Sequence, residues 1–319
     1  MSKRTLIITQ NLTSDLEEQV HSLLPDWNII AGKDSSHWKS CIQEAEVIAG
    51  WKKEMEELLT DESKLKWLQS CSAGVDNLSL ETFEKRSQLV TSANGVHANP
   101  ISETIFAMML GLTRLIHTYV KQQQTKTWHH AGLGLEMHGK TLGLLGAGAI
   151  GKETAKIAKA FGMKVIGIRR SGKEEENFDK MVSLKELTNI LPDCDYVVNT
   201  LPHTKETTNL FGPDQFNVMK ESAFFINIGR GETVNEKSLI EALQENKIAG
   251  AGLDVFEQEP LEENNPLWEM DQVIITPHTS GATEYYNQRV IEDILIPNLK
   301  EYLQNGKPSI NLVDFNKGY

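Results

Sequence analysis

Thr141-Leu-Gly-Leu-Leu-Gly146-Ala147-Gly148-Ala149-Ile150-Gly151 is the stretch whose reading decides the fold. A short apolar run leads into G-x-G-x-x-G, and helix-forming residues follow at once. That order predicts a strand, a tight turn and a helix, which together make a dinucleotide phosphate site. Gly146 permits the sharp turn, Gly148 lets a pyrophosphate approach the backbone, and Gly151 lets the helix lie close to the sheet. The free N–H groups at the helix start, with the positive end of the helix dipole, then face the phosphates. Among 23 glycines the bare motif says little. Its context carries the reading: a helix over 150–161, a break at Gly162 and a second strand over 164–168. The alternative is a tight βα turn that binds nothing.

The end of that second strand bears on which dinucleotide is taken. A ribose 2′-hydroxyl is usually held by Asp or Glu about 20 residues past the motif. Here the position holds Arg169, followed by Arg170 and Ser171. Two guanidiniums and a hydroxyl suit a 2′-phosphate, which a carboxylate would repel. The sequence therefore favours NADP, with NAD as the alternative if Arg169 points to solvent.

Working outward, 319 residues suffice for two domains. A hydrophobic content of 39% and a charged content of 24% are those of an ordinary globular chain. The net charge of −12 argues against nucleic acid or an anionic membrane surface as main partner. Cys41, Cys71 and Cys194 are far apart and odd in number, which suits a reducing cytoplasm and neither a disulfide framework nor a metal cluster. No metal site is expected. The run Leu6-Ile7-Ile8 is too short for a signal peptide and reads as the first strand. No stretch approaches the roughly 18 apolar residues of a membrane helix.

Before the glycine loop, strands are expected at 5–9, 47–51, 65–70 and 89–91, with a helix at 16–24. A long helix is expected from Pro100 to about Gln124, its apolar residues Ile101, Ile105, Met108, Met109, Leu112, Leu115 and Ile116 falling at helical spacing. From Gly139 the strand–helix alternation restarts and runs to about His278. A last helix is expected over 284–304. The pattern is a doubly wound α/β fold, twice over.

Three residues at expected strand ends look like chemistry. Arg230 sits between glycines in Asn227-Ile228-Gly229-Arg230-Gly231, and a guanidinium fork there suits a carboxylate or carbonyl oxygen. The alternative is a structural ion pair. Glu259 lies in the segment Asp254–Pro260, and His278 in Pro277-His278-Thr279-Ser280-Gly281. Strand-end residues of one α/β sheet converge at its carboxyl edge.

With those segments the chain resembles the D-isomer-specific 2-hydroxyacid dehydrogenases, the group that includes glyoxylate/hydroxypyruvate reductases and phosphoglycerate dehydrogenases. The carriers are Ser72-Ala-Gly74-Val75-Asp76, Asn94-Gly95-Val96 with Ser102-Glu103, the Gly146–Gly151 loop, Asn227–Gly231, Asp254–Pro260 and Pro277–Gly281. The resemblance implies an oxidoreductase that reduces a small 2-keto acid to the D-2-hydroxy acid. It implies Arg230 for substrate binding, His278 as acid/base and Glu259 as the partner of His278. It places the substrate carboxylate on the amides around Ala73, Gly74 and Val75. It gives Ala149, Ile150, Arg169, Thr200, Ile228, Arg230, Asp254, His278 and Gly281 as cofactor contacts, beside Gly146, Gly148, Gly151, Arg170 and Ser171. It implies a Rossmann dinucleotide-binding domain over 97–286 and a smaller, discontinuous, flavodoxin-like substrate domain over 1–96 and 287–319. It also implies a homodimer. Arg169 departs from the NAD pattern. Two rival readings stand beside this one: a cofactor-sensing, corepressor-like regulator on the same fold, and a short-form phosphoglycerate dehydrogenase.

Overall fold

A computed structural model describes residues 3–315 apart from 76, 131 and 133. The chain divides into two compact units, Met1–His97 with Thr283–Tyr319, and Ala98–Ala282.

The first unit is built on five parallel strands: β1 (Thr5–Ile8), β2 (Asn28–Ala31), β3 (Ala45–Ala49), β4 (Trp67–Gln69) and β5 (Leu89–Thr91), in the order β2-β1-β3-β4-β5. This is the flavodoxin-like order. Side chains alternate across a strand, so Leu6 and Ile8 join one core layer while Ile7 joins the other. Both layers are covered, which explains why β1 and β3 are buried from end to end. Leu16 and Val20 of helix Ser14–Leu23 close the first layer, with Ile291, Leu295 and Leu299 from the C-terminal segment. Thr13 caps the helix by accepting the Leu16 N–H at 3.4 Å.

The second unit holds seven parallel strands: β6 (Thr141–Leu145), β7 (Lys164–Ile168), β8 (Lys180–Val182), β9 (Tyr196–Asn199), β10 (Phe224–Asn227), β11 (Gly250–Leu253) and β12 (Val273–Ile275). Their order is β12-β11-β10-β9-β6-β7-β8. The chain winds outward from β6 through β7 and β8, then returns to wind the other way from β9. The switch point therefore falls between β6 and β9, where α/β sheets bind their ligands at the strand carboxyl ends. Leu142, Leu144, Val198 and Ile226 face helix Ala98–Thr113 and helix Ala149–Ala160, whereas Leu145, Val197, Phe225 and Ala251 face the opposite layer. Ser102 and Thr154 join their hydroxyls at 3.0 Å where those two helices meet. No helix among the described residues is long and apolar enough to cross a membrane.

The structure departs from the sequence reading in three places. The single helix expected over 100–124 is two, Ala98–Thr113 and Ile116–Gln124, parted at Leu115, whose φ is +54°. The expected apolar spacing runs on through Leu115 and Ile116, but no residue of Ile116–Gln124 is buried. Helix continuity thus has no packing reward there. Pro100 lies inside the first turn and not at its start, which is tolerated because the first four N–H groups have no intrahelical partner. The expected last helix is likewise interrupted, as α-helix Tyr286–Arg289, π-helix Val290–Leu295 and α-helix Ile296–Asn305. Pro297 cannot donate to the preceding turn, and the widened turn accommodates its ring. The short strands β2 and β8, both at sheet edges, carry too little alternation to be read from sequence.

Candidate active site

The glycine loop leaves β6 as expected. Gly146 has φ +98°, and its N–H donates to the Ile168 carbonyl of β7 at 2.9 Å. A Cβ at Gly151 would lie 1.9 Å from the Gly146 carbonyl oxygen, so the helix seats against its own loop only with glycine there. A Cβ at Gly148 would meet nothing within 4 Å. The loop is closed toward the sheet and open outward. Helix Ala149–Ala160 begins at Gly148 with no side chain capping its N–H groups. An open cradle over uncapped amides fits a pyrophosphate. Ala149 and Ile150 sit half-buried in the first turn. Thr200, just past β9, donates through its hydroxyl to the Leu145 carbonyl at 2.7 Å and lies beside Gly146. Ile228, just past β10, is buried.

The side chains read as catalytic leave three adjacent strands. Strands β10, β11 and β12 pair in register, with Asn227 opposite Leu253 and Leu253 opposite Ile275. Arg230, Glu259 and His278 all follow those ends, so the second sheet brings them to one edge. Glu259 Oε2 and His278 Nδ1 are 2.7 Å apart. A carboxylate only accepts, so Nδ1 donates and Nε2 is the nitrogen left to face a ligand. The other carboxylate oxygen, Oε1, accepts the Phe256 N–H at 3.1 Å, which fixes the orientation of Glu259. Arg230 is exposed, and its Nη1 donates to the Gly229 carbonyl at 2.7 Å. It has no acidic partner among the described residues, so the structural ion pair that rivalled its functional reading is not formed there.

His278 has φ +52°, a left-handed backbone uncommon for a residue with a Cβ. What holds it is Asp254, which is fully buried. Asp254 Oδ1 accepts the Thr276 hydroxyl at 2.6 Å, the Thr279 N–H at 2.9 Å and the Ser280 N–H at 3.2 Å, and its carbonyl accepts the His278 N–H at 2.9 Å. Four residues of the turn around the histidine, Thr276, His278, Thr279 and Ser280, thus donate to one aspartate. The sequence reading gave Asp254 as a cofactor contact and missed this network, which requires knowing that β11 and β12 are neighbours. Gly281 follows directly, half-buried.

Past β7 the cations are in place but not free. Arg169 is half-buried and its Nη1 lies 3.5 Å from Glu175 Oε2. The same oxygen takes Lys152 Nζ at 2.9 Å. Arg170 pairs with Glu206 at 2.6 Å on the surface. Ser171 is exposed, its Oγ 3.4 Å from the Lys173 N–H. Neither Lys152 nor Glu175 stood out in the sequence.

In the first unit, Ser72–Val75 follows the carboxyl end of β4. The Ser72 N–H donates to Ser70 Oγ at 3.1 Å, and the Ser72 carbonyl accepts the Ala93 N–H at 2.9 Å. The amides of Ala73, Gly74 and Val75 have no partner among the described residues, and Asp76 lies outside those residues. Tyr286 donates its hydroxyl to the Cys71 carbonyl and stacks on His97 at 4.6 Å. Burial raises the Tyr286 hydroxyl to about 12, so it stays a donor throughout the working range. Trp51 packs edge-on to Phe83 at 5.3 Å. Tyr285 is exposed under the Arg289 guanidinium, 5.4 Å away.

The model of the D-isomer specific 2-hydroxyacid dehydrogenase NAD binding domain matches residues 106–280. Glyoxylate reductase of Pyrococcus horikoshii is 36% identical over 235 residues, 71% of this chain and 70% of that protein. The crystal structure of a D-isomer specific 2-hydroxyacid dehydrogenase family protein from Aeromonas salmonicida superposes with a TM-score of 0.83 at 36% identity, covering 98% of this chain and 100% of that one. A D-isomer specific 2-hydroxyacid dehydrogenase from Xanthobacter autotrophicus, solved with NADPH and MES, gives 0.80 at 26% identity with full coverage of both chains. With two parallel α/β sheets, the glycine loop and the histidine–glutamate pair at one sheet edge, the chain belongs to the D-isomer-specific 2-hydroxyacid dehydrogenases.

Proposed function

We propose that this protein is an NADPH-dependent reductase of a small 2-keto acid, producing the D-2-hydroxy acid. The observation that carries the reading is the His278–Glu259 pair at 2.7 Å, with Nε2 left over at the sheet edge that also bears Arg230 and the glycine loop. The nicotinamide, when bound, supplies the hydride that adds to the keto carbon. His278 delivers the matching proton from Nε2 to the keto oxygen, which becomes the hydroxyl. Glu259 holds Nδ1, fixing the tautomer and ring plane of the donor. Arg230 offers its fork to the substrate carboxylate and to charge growing on the oxygen. Asp254 keeps the histidine turn in its strained form. Gly146, Gly148, Ala149, Ile150 and Gly151 cradle the pyrophosphate. Thr200, Ile228 and Gly281 complete the cofactor's seat, and Arg169, Arg170 and Ser171 take the 2′-phosphate. The amides of Ala73, Gly74 and Val75, without a partner among the described residues, take the substrate carboxylate in this reading.

Support for the substrate class comes from the relative above that reduces glyoxylate, and for the phosphorylated cofactor from the structural relative solved with NADPH. A cytoplasmic homodimer is part of the proposal, and sedimentation of the purified protein checks its mass. The deciding experiment measures initial rates with NADPH against glyoxylate, hydroxypyruvate, pyruvate, 2-ketoisocaproate, phenylpyruvate and 3-phosphohydroxypyruvate. Turnover of a small member of the panel is the expected result. No oxidation of NADPH with any of them refutes the reading and leaves a cofactor-binding regulator in its place.

A further inference from the structure

We propose that Glu175 is an exchangeable counter-ion for the 2′-phosphate site and sets how strongly the protein distinguishes NADP from NAD. The inference rests on the reading of Arg169 given above and adds two residues to it. A single carboxylate oxygen, Glu175 Oε2, bridges Lys152 Nζ at 2.9 Å and Arg169 Nη1 at 3.5 Å. The two cations come from the two elements that frame the glycine loop. Lys152 stands in the first turn of helix Ala149–Ala160, and Arg169 directly follows β7. An oxygen anion held between them stands in for a phosphate oxygen. Glu175 itself is carried on the irregular stretch 169–179, ahead of β8, where no ladder or helix pins it. The Lys152 hydrogen bond, outweighing a smaller effect of burial, holds the Glu175 carboxyl below its ordinary range, so the counter-ion is charged near neutral pH.

The consequence is a competition. When the adenosine ribose carries only a hydroxyl, Glu175 stays on Lys152 and Arg169, and their charge is neutralised within the protein. When the ribose carries a phosphate, the phosphate replaces Glu175 on both cations and the carboxylate swings to solvent. Part of the gain from phosphate binding is then spent on breaking two existing ion pairs, so the preference for NADP is smaller than two free cations would give. Specificity is a difference between two bound states, and a group that favours one of them by default reduces it. A lone acid in this position would select NAD, and lone cations would select NADP; the bridged set tolerates both.

The experiment is equilibrium binding of NADP⁺, NAD⁺ and 2′,5′-ADP to the full-length wild-type protein and to Glu175→Gln, Lys152→Met and Glu174→Gln. Glu174 is the exposed neighbour and controls for charge alone. Glu175→Gln is expected to tighten NADP⁺ and 2′,5′-ADP by about three- to tenfold, as for two partly exposed ion pairs removed from the competition. NAD⁺ should stay within about twofold on the same scale. Lys152→Met should weaken the two phosphorylated ligands and leave NAD⁺ alone. Raising NaCl should shrink the difference between Glu175→Gln and wild type, because the site is partly exposed. Equal tightening in Glu174→Gln and Glu175→Gln overturns the proposal, since bulk charge would then be the cause. Loss of NAD⁺ binding in Glu175→Gln with NADP⁺ unchanged also overturns it, making Glu175 an acceptor for the ribose hydroxyl. Wild-type protein that binds neither dinucleotide refutes the glycine-loop reading together with this one, whereas dinucleotide binding with an unmoved NADP⁺/NAD⁺ ratio refutes this one alone.

Discussion

Asp254 and Glu175 are both carboxylates past the strands of one sheet, and they do opposite kinds of work. Asp254 is fully buried, and its side chain and carbonyl together hold Thr276, His278, Thr279 and Ser280 in one turn. Glu175 lies on an irregular loop and touches two long, mobile cationic side chains. A buried acceptor with several fixed backbone donors has no competing water and cannot be exchanged. A partly exposed ion pair is worth about 1 kcal/mol or less and gives way to a better anion. The half of the edge over β10, β11 and β12 is therefore wired and fixed, which suits the proposed proton transfer from the histidine. The half past β7 is adjustable, which suits a choice between two nearly identical cofactors.

The largest effect should come from the wired half. His278→Asn removes the proposed proton donor and leaves the glycine loop intact. The rate of keto-acid reduction should fall about 10²- to 10⁴-fold, the usual worth of general acid catalysis, with NADPH binding unchanged. Glu259→Gln should cost less, because an amide can still orient the ring. A His278 variant that keeps most of the wild-type kcat on the best substrate removes the reason for calling this half catalytic.

Asp254→Ala tests whether the wiring is structural. It leaves the buried Ser280 amide without an acceptor, which costs about 1–3 kcal/mol, along with the Thr279 amide and the Thr276 hydroxyl, which are less buried. The second unit should lose about 1–3 kcal/mol on that scale, read as a lowered midpoint in chemical denaturation. Turnover should fall along with it, because the left-handed turn at His278 loses its anchor. Normal stability with normal turnover would mean that the turn holds itself.

On the adjustable half, wild type should prefer NADPH to NADH, and Arg169→Asp should reverse or abolish the preference. One charge-assisted contact is worth roughly 1.5–3 kcal/mol, or about ten- to a hundredfold in affinity. The ratio of kcat/KM for the two cofactors in both proteins decides it. Equal values in wild type would show Arg169 to be committed to Glu175 in every state.

The smallest effect extends the comparison to the first unit. Glu46 is buried there, and burial alone would raise its pKa. Hydrogen bonds from Arg4, Tyr302 and Lys66 more than offset that and hold it at about 2. A folded-state pKa depressed below the unfolded value of about 4.3 stabilises the protein above that pH. The contribution is lost as pH falls from there toward 2. The stability gap between wild type and Glu46→Gln should therefore be about 2 kcal/mol at neutral pH and should close over that window. A gap that does not change with pH would place Glu46 among the exchangeable carboxylates instead.

Burial did not give every wired contact a sequence signal. Tyr286, whose hydroxyl reaches the Cys71 carbonyl, is separated from it by 215 positions, and no motif links them. The break at Leu115 was equally illegible, because apolar spacing continues through Leu115 and Ile116 in the sequence while no residue of Ile116–Gln124 is buried.

What the sequence determined by itself was whatever is encoded within a few residues. The glycine loop is local sterics: Gly146 must turn and Gly151 must admit a carbonyl, so a strand, loop and helix could be read directly. Arg230, Glu259 and His278 could be read because each sits a few residues beyond an apolar strand, and parallel sheets collect such ends on one edge. The tertiary structure decided which groups actually meet. It set Glu259 against His278, closed the histidine turn on Asp254, and brought Lys152 and Glu175 to Arg169. Glu259 with His278, Asp254 with Thr279 and Lys152 with Glu175 join residues 19, 25 and 23 positions apart. Backbone preferences act over one or two residues, whereas a hydrogen bond or ion pair between loops exists only once strand order has fixed which loops are neighbours.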